Sequence, residues 1–432
     1  MLRKSLGSLF ISVAAIAAPA MADEVVRIGL LTSHDSEVRP LSISFNDGLA
    51  DYLTLVNVRD GGIDGTPVEL ITCETQYTQE GHMACYQQLA AAGIDIAIPT
   101  GTVGAYALNQ MAFQVGVPVL NGGLGQTAVA DGRVFPNSFA FPGNYYQAAS
   151  AMVEHFEAEL QDLNGKRIAY VYHDSLYGEE AIPLLQAIAA SKGFALDLYP
   201  VAPPGDDQAA IWTQIAQSGA DRAILWTVGR MTATSIGTAA AVGYPREQMM
   251  GNWWTTLEMM MRRLGPAADG MRAMSLTGVG HDVAVYNDLN EMVYFAGLGH
   301  GTMNNIGDID YNRGLMTGLY LVEAARNGLS ISGDGLTAAD MREGLEALNF
   351  TSDDSQRLGF GDLAPPLAMT CSNHSGFGLL QVIEYDSSFR RWTNYGDYVS
   401  ADSAIVSAAV SQAASGFADA LSITPRDCPA GS

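Results

Sequence analysis

The chain has 432 residues, 48% of them apolar and 16% charged, with 46 Gly, 17 Pro and a mean hydropathy of +0.09. Those values exclude a disordered, collagen-like or coiled-coil protein, and at roughly 100–200 residues per domain they call for two or three domains. Lys+Arg number 22 against 46 Asp+Glu, a formal net charge of -24, and a surface so acidic repels phosphate backbones, which argues against nucleic acid as a partner.

The chain opens with a segment set apart from the fold. Arg3 and Lys4 precede an apolar stretch over 9–18, and Ala20-Met21-Ala22 then supplies small residues at the spacing a signal peptidase reads. Residues 1–22 are therefore predicted to be a cleavable secretory signal, its apolar part too short for a membrane span of about 20 residues. The mature chain would begin at Asp23 with 20 basic against 46 acidic residues, a net charge of -26. No later segment reads as apolar for long enough to cross a bilayer. The product is expected to be soluble outside the cytoplasm, without direct membrane insertion.

Apolar run 25–31 ends in Thr32-Ser33, and Phe45, Leu49, Tyr52, Leu53 and Val56 then recur at helical spacing, the mark of a buried strand followed by an amphipathic helix. The pattern continues with a strand over 67–73, a helix over 78–92, a strand over 94–99, a helix over 103–115 and a strand over 117–120. Residues 135–146, rich in Pro, Gly, Asn and aromatics, carry no period and suit a crossing between lobes. A second series of the same grammar follows: strands over 167–172, 194–201 and 222–227 alternate with helices over 179–192, 207–218 and 232–242, and 249–251 and 272–278 read as its last strands. Long helical patterns over 284–298 and 309–328, a polar segment over 352–362 and a β-rich run over 376–385 complete the two lobes. Alternation of this kind indicates parallel sheets covered on both faces.

Ligands of open parallel sheets sit at the carboxyl ends of the strands, which selects the loops 32–40, 100–104, 121–126, 173–178, 227–230 and 252–258. Two such rims facing each other make a cleft. On them lie Thr100-Gly101-Thr102 before a helix, the turn Asn121-Gly122-Gly123-Leu124, His34 and His173, Tyr177, Thr227 and the pair Trp253-Trp254. Glycine turns and helix N-termini offer unpaired N–H groups to a small anion, and aromatic side chains at strand ends suit closing over a ligand.

Four cysteines, Cys73, Cys85, Cys371 and Cys428, form two local pairs in a chain bound for an oxidising compartment, with three connectivities formally open. Metal is disfavoured because no C-x-x-C and no pair of His at helical spacing occurs. No G-x-G-x-x-G follows the first strand, and neither a G-x-S-x-G elbow nor a P-loop is present, so dehydrogenase, hydrolase and nucleotide-binding readings lose their main support.

Several stretches in order, Gly61-Gly62-Ile63-Asp64-Gly65, Cys73-Glu74-Thr75-Gln76-Tyr77, Val117 to Gly123, His173-Asp174-Ser175-Leu176-Tyr177-Gly178, and His374 with Gly376, resemble the periplasmic substrate-binding proteins of ABC importers, in the type I, branched-chain amino-acid-binding-like family. The resemblance covers roughly Val25 to Tyr395. It implies two doubly wound parallel-sheet α/β lobes joined by a three-crossing hinge, one from 23–140 plus 279–372, the other from 141–278 plus 373–398, with 399–432 as a C-terminal tail. It also implies a ligand carboxylate held by the loops matching Thr100–Thr102 and Asn121–Leu124, a contribution from Tyr177, no cofactor, no catalytic residue, and ABC permease subunits of the inner membrane as partners. The leucine-type pattern places an acid for the ligand ammonium after the strand 249–251. Here Asn252-Trp253-Trp254 stands in that place, with Glu258 the nearest acid, and an unpaired buried ammonium is costly. The expected ligand is thus a small polar or aromatic molecule: an amino acid, amide or aromatic acid. The rival functions are a ligand-sensing module for a receptor and an exported hydrolase.

Overall fold

Apolar residues on both faces bury β1 (Val26–Thr32) along nearly its whole length, as a central parallel strand requires. The computed structural model describes residues 24–36, 39–280, 282–333, 335–376 and 378–429; the predicted signal over 1–22 lies outside them. After β1 come α1 (Arg39–Asp60), β2 (Val68–Glu74), α2 (Gln79–Ala91), β3 (Ile96–Ile98), α3 (Gly101–Val115), β4 (Val119–Leu120) and β5 (Ser138–Phe139). They build a five-stranded sheet in the order β2-β1-β3-β4-β5, all of its pairings parallel.

The chain then crosses to a second lobe: α4 (Tyr145–Leu160), β6 (Arg167–His173), α5 (Leu176–Glu179), α6 (Ile182–Lys192), β7 (Ala195–Val201), α7 (Ala209–Ser218), β8 (Arg222–Trp226), α8 (Gly229–Ala241), β9 (Met249–Gly251), α9 (Glu258–Leu264) and β10 (Arg272–Ser275). It returns with α10 (Ala284–Asp288), α11 (Ile309–Ser332), α12 (Ala338–Glu346), β11 (Asn349–Phe350), α13 (Ser352–Arg357) and β12 (Leu367–Ala368), α11 packing on α1. A third crossing leads to β13 (Leu379–Asp386), β14 (Arg391–Ser400) and α14 (Ser403–Leu421). The second sheet runs β14-β13-β10-β9-β8-β6-β7. Its parallel part repeats the order of the first sheet, and β13 and β14 add an antiparallel edge. In both sheets the order reverses beside the first strand, so the switch points lie at β1/β3 and β6/β8.

Several expected elements change shape. The single helix over 179–192 is two, because Pro183 in the first turn of α6 lacks the N–H that would continue α5. The period-free 135–146 contains β5, too short to show alternation. Residues 399–432 are not a plain tail: Ser403–Leu421 is a helix whose Val406, Val410, Ala414 and Ala418 face inward. By length and composition it is the one described helix long and apolar enough to cross a membrane, which corrects the expectation that no such segment follows the signal. Its Ala- and Ser-rich makeup hides the apolar period, and it packs against α4, α6 and the turn Thr127–Ala130. Cys73 pairs with Cys85 and Cys371 with Cys428. The second bridge pins the chain after α14 beside the third crossing, where Arg426 also donates to the Gly132 carbonyl and to Glu346.

Candidate functional site

Two sets of loops meet between the lobes. On the first lobe Asn121 is fully buried and its Nδ2 donates to Asn109 Oδ1 at 2.9 Å, while Asn109 Nδ2 donates to Gln126 Oε1 at 3.0 Å. This chain of amides holds Gln126 at φ +64°, a left-handed conformation that a non-Gly residue adopts at a cost. Gly123, at φ +70°, has no room for a side chain: a Cβ there would stand 2.8 Å from Leu276 Cδ1 and 2.9 Å from Trp253 Nε1. Thr100 closes β3 by donating its hydroxyl to the Leu31 carbonyl, Gly101 lies against the Tyr77 ring, and Thr102 Oγ1 is 3.5 Å from the Tyr145 hydroxyl. Gly122 is half-buried, and the Leu124 side chain is buried.

The second lobe answers with large side chains. Trp253 and Trp254 both donate their indole N–H to the Gly123 carbonyl, at 2.9 and 3.1 Å, and Trp254 also donates to the Tyr145 hydroxyl at 3.0 Å. Tyr145 stacks on Trp253 at 5.7 Å and meets Tyr177 and Trp226 edge-on. The Tyr177 hydroxyl donates to Asn252 Oδ1 or the Thr227 carbonyl. Thr227 is itself buried, its hydroxyl bonded to Thr232. His34 lies with first-lobe groups, Nε2 at 2.8 Å from Asn46 Nδ2 and its backbone N–H on Glu74. His173 Nδ1 is 2.8 Å from Ser175 Oγ.

Three further groups in this region, Arg313, Tyr145 and Glu180, had no individual signal in the sequence. Arg313, on α11, is 4% exposed. Its guanidinium lies 4.3 Å over the Trp254 ring and donates to Asp310 at 2.8 Å and to the Trp253 carbonyl at 3.5 Å. Burial lowers its pKa against the pull of Asp310. Tyr145 was hidden in the aperiodic aromatic stretch. Glu180, from the break between α5 and α6, reaches the first lobe and accepts from the Gln126 and Thr127 amides at 2.8 and 2.5 Å. Burial raises its carboxyl above the ordinary range while those amides pull it down. Glu258 does not stand ready for a ligand ammonium: it is buried, accepts from the Ile309 amide at 3.0 Å, and is held well above the ordinary carboxyl range by burial and by Asp308. Asn252 is likewise engaged by Tyr177. Among buried polar atoms without a partner are Trp226 Nε1, Asn144 Nδ2 and Asn121 Oδ1.

Paired sheets of one strand order, with strand-end loops meeting across a three-crossing hinge, have a counterpart in known proteins: a family model described as periplasmic binding protein matches residues 25–388. The chain belongs to the periplasmic binding protein family. Among solved structures, a protein from the Pseudomonas fluorescens group described as an ABC transporter permease is 30% identical, with a TM-score of 0.89 over 94% of this chain and all of that one. A branched chain amino acid ABC transporter protein from Thermus thermophilus with bound valine is 15% identical, at TM-score 0.74 over 90% of this chain and 99% of that one. An ABC transporter solute binding protein from R. palustris in complex with benzoate is 19% identical, at TM-score 0.67 over 88% and 99%. The last two establish likeness of fold. A search of curated proteins finds no match. The fold is that of type I periplasmic binding proteins.

Proposed function

We propose that this periplasmic binding protein captures a small polar or aromatic organic molecule between its lobes and delivers it, chemically unchanged, to ABC permease subunits in the inner membrane. The observation that carries the proposal is the meeting of Trp253 and Trp254 from one lobe with the Gly123 carbonyl of the other, beside Tyr145 and Arg313. Indole and phenol donors on apolar rings, placed on opposite sides of a hinge, are what a cleft needs to gain contacts on closing, and a ligand shifts such an equilibrium only by its unequal affinity for the two forms. Thr100–Thr102 and Asn121–Leu124 on the first rim, and Tyr177 and Thr227 on the second, complete the proposed lining. His34, tied to Asn46, borders the first rim.

The donor set favours ligands rich in acceptor oxygens. Opening of the cleft would release the Trp253 and Trp254 indole donors from the Gly123 carbonyl beside the Arg313 guanidinium. Glu258, in contrast, accepts from the Ile309 amide, and Glu180 returns to the Gln126 and Thr127 amides on closing. An acid or amide therefore fits better than a group that must bury an ammonium without a carboxylate. The valine and benzoate bound by the two structural relatives bracket this class. Calorimetry against amino acids, aromatic acids and amides, with small-angle scattering to detect closure, tests the proposal. Saturable binding is expected, with a radius of gyration no larger than that of the ligand-free protein. Silence across all three classes, or product accumulating from a bound compound, would overturn it.

A further inference from the structure

The contact between Glu180 and the first lobe is made entirely by the chain's own groups. Each carboxylate oxygen takes one backbone amide, Oε2 from Gln126 at 2.8 Å and Oε1 from Thr127 at 2.5 Å, and the Tyr106 hydroxyl adds a longer contact at 3.4 Å. Two successive N–H groups point the same way because Gln126 is in the left-handed region, which turns a short stretch of backbone into a small anion-binding concavity. The buried amide chain from Asn121 through Asn109 fixes that turn. Gly125 leaves the space for the carboxylate: a Cβ there would stand 2.7 Å from Glu180 Oε2 and 2.6 Å from Thr102 Cγ2. Three features of the first lobe, a left-handed residue, a buried amide chain and a missing side chain, thus converge on one side chain of the second.

We infer that Glu180 is an interlobe latch, a positioning residue that holds the two halves of the cleft together through the Gln126 and Thr127 amides before any ligand contributes a contact. The inference rests on the proposal that the lobes open and close. A ligand would then enter a protein whose closed form is already stabilised, so the latch sets how often the cleft opens and how slowly a captured molecule leaves. Both carboxylate oxygens are used, one for each amide, so the latch needs an acceptor at each of the two positions. An uncharged amide of the same shape keeps one acceptor oxygen in the cradle and turns an NH2 donor toward the other backbone N–H.

Hydrogen exchange of the ligand-free protein, read on the peptide spanning 125–128, tests the inference directly. Hydrogen bonds to charged or partly charged acceptors are strong enough that Glu180→Ala should speed exchange there by roughly tenfold to a hundredfold, with a larger radius of gyration in scattering. Glu180→Gln should also lose most of the protection, because its NH2 group would face one of the two backbone donors. Gly125→Ala approaches the latch from the other lobe: its backbone is outside the left-handed region, it leaves both amides in place, and it denies the carboxylate its space. Gly125→Ala should open the lobes as Glu180→Ala does, and the double variant should exchange no faster than either single one. The inference is overturned if the wild-type peptide is unprotected, if Glu180→Ala leaves it protected, or if the two substitutions add. If the variants still bind and close on a compound found in the calorimetric screen, only the latch fails; loss of lobe motion in every form would remove the binding-protein proposal itself. Far-UV circular dichroism on each variant separates these outcomes from misfolding.

Discussion

The two lobes share one strand order yet bring opposite chemistry to the cleft. The first offers mainly backbone, namely the Gly123 carbonyl and the Gln126 and Thr127 amides, on turns where Gly123 and Gly125 leave no room for a side chain, with the Arg313 guanidinium of α11 over the Trp254 ring beside them. The second offers side chains: Trp253, Trp254, Tyr177 and Glu180. A common scaffold therefore does not impose a common role on its rims. The first lobe acts as a preformed receptor surface, and the second supplies the groups that reach into it.

The sharpest way to break this contrast is to give the first lobe a side chain where it has none. Gly123→Val would place carbon against Leu276 and Trp253 in a left-handed backbone, and a binding loss of roughly a hundredfold is expected from overpacking and strain together. Calorimetry beside a melting curve measures it; unchanged affinity would remove Gly123 from the junction. Next come the two disulfides. Cys371–Cys428 spans 57 residues and ties the tail to the hinge, whereas Cys73–Cys85 spans 12 within the first lobe. In the chain-entropy account each contributes about 2–4 kcal/mol, the longer loop about 1 kcal/mol more. Denaturant unfolding of the paired Cys→Ser variants should rank them in that order.

A smaller effect follows from the second-lobe carboxyls. Glu180 and Glu258 titrate above their ordinary value of 4.5 in the closed contact. Each therefore contributes stability to the folded protein fully below that ordinary value, and the contribution is lost as pH rises through the raised one. Denaturant unfolding followed against pH should show this contribution fading as the solution moves from acid toward neutral, and the double variant Glu180→Gln, Glu258→Gln should flatten the curve. Smallest of all is Trp226→Phe. The buried indole N–H of Trp226 has no partner, so losing it offsets part of the cost of the cavity that the smaller ring leaves beside Tyr145, Tyr170 and Tyr177. The melting temperature of the ligand-free protein should fall by only a few degrees, while any ligand that uses that donor would bind more weakly.

Much of the fold was legible because long buried strands and amphipathic helices repeat a local period. The strand Met249–Gly251 lies where its apolar run predicts, and Arg222–Trp226 falls within one residue of expectation. Legibility fails where the period is absent or interrupted. β5 is only two residues long, α14 is nearly all Ala, Ser and Val, and Pro183 divides one apolar pattern into two helices. The site was legible to the extent that it follows from topology. Carboxyl-end loops must face a crevice, so Trp253, Trp254 and the Asn121 turn were selected by position. Glu180 and Arg313 were not, because each looks like an ordinary charged residue of a helix until its partner is known.

The amino-acid sequence by itself determined two α/β lobes, the loops that rim them, and the scarcity of catalytic and metal motifs. These depend on spacing and composition over a few neighbouring residues. Which cysteines pair, which acid reaches the opposite lobe and which arginine lies over a tryptophan were decided only when distant segments packed together. Glu180 meets Thr127 from 53 positions away and Arg313 meets Trp253 from 60, and contacts over such separations leave no period along the chain.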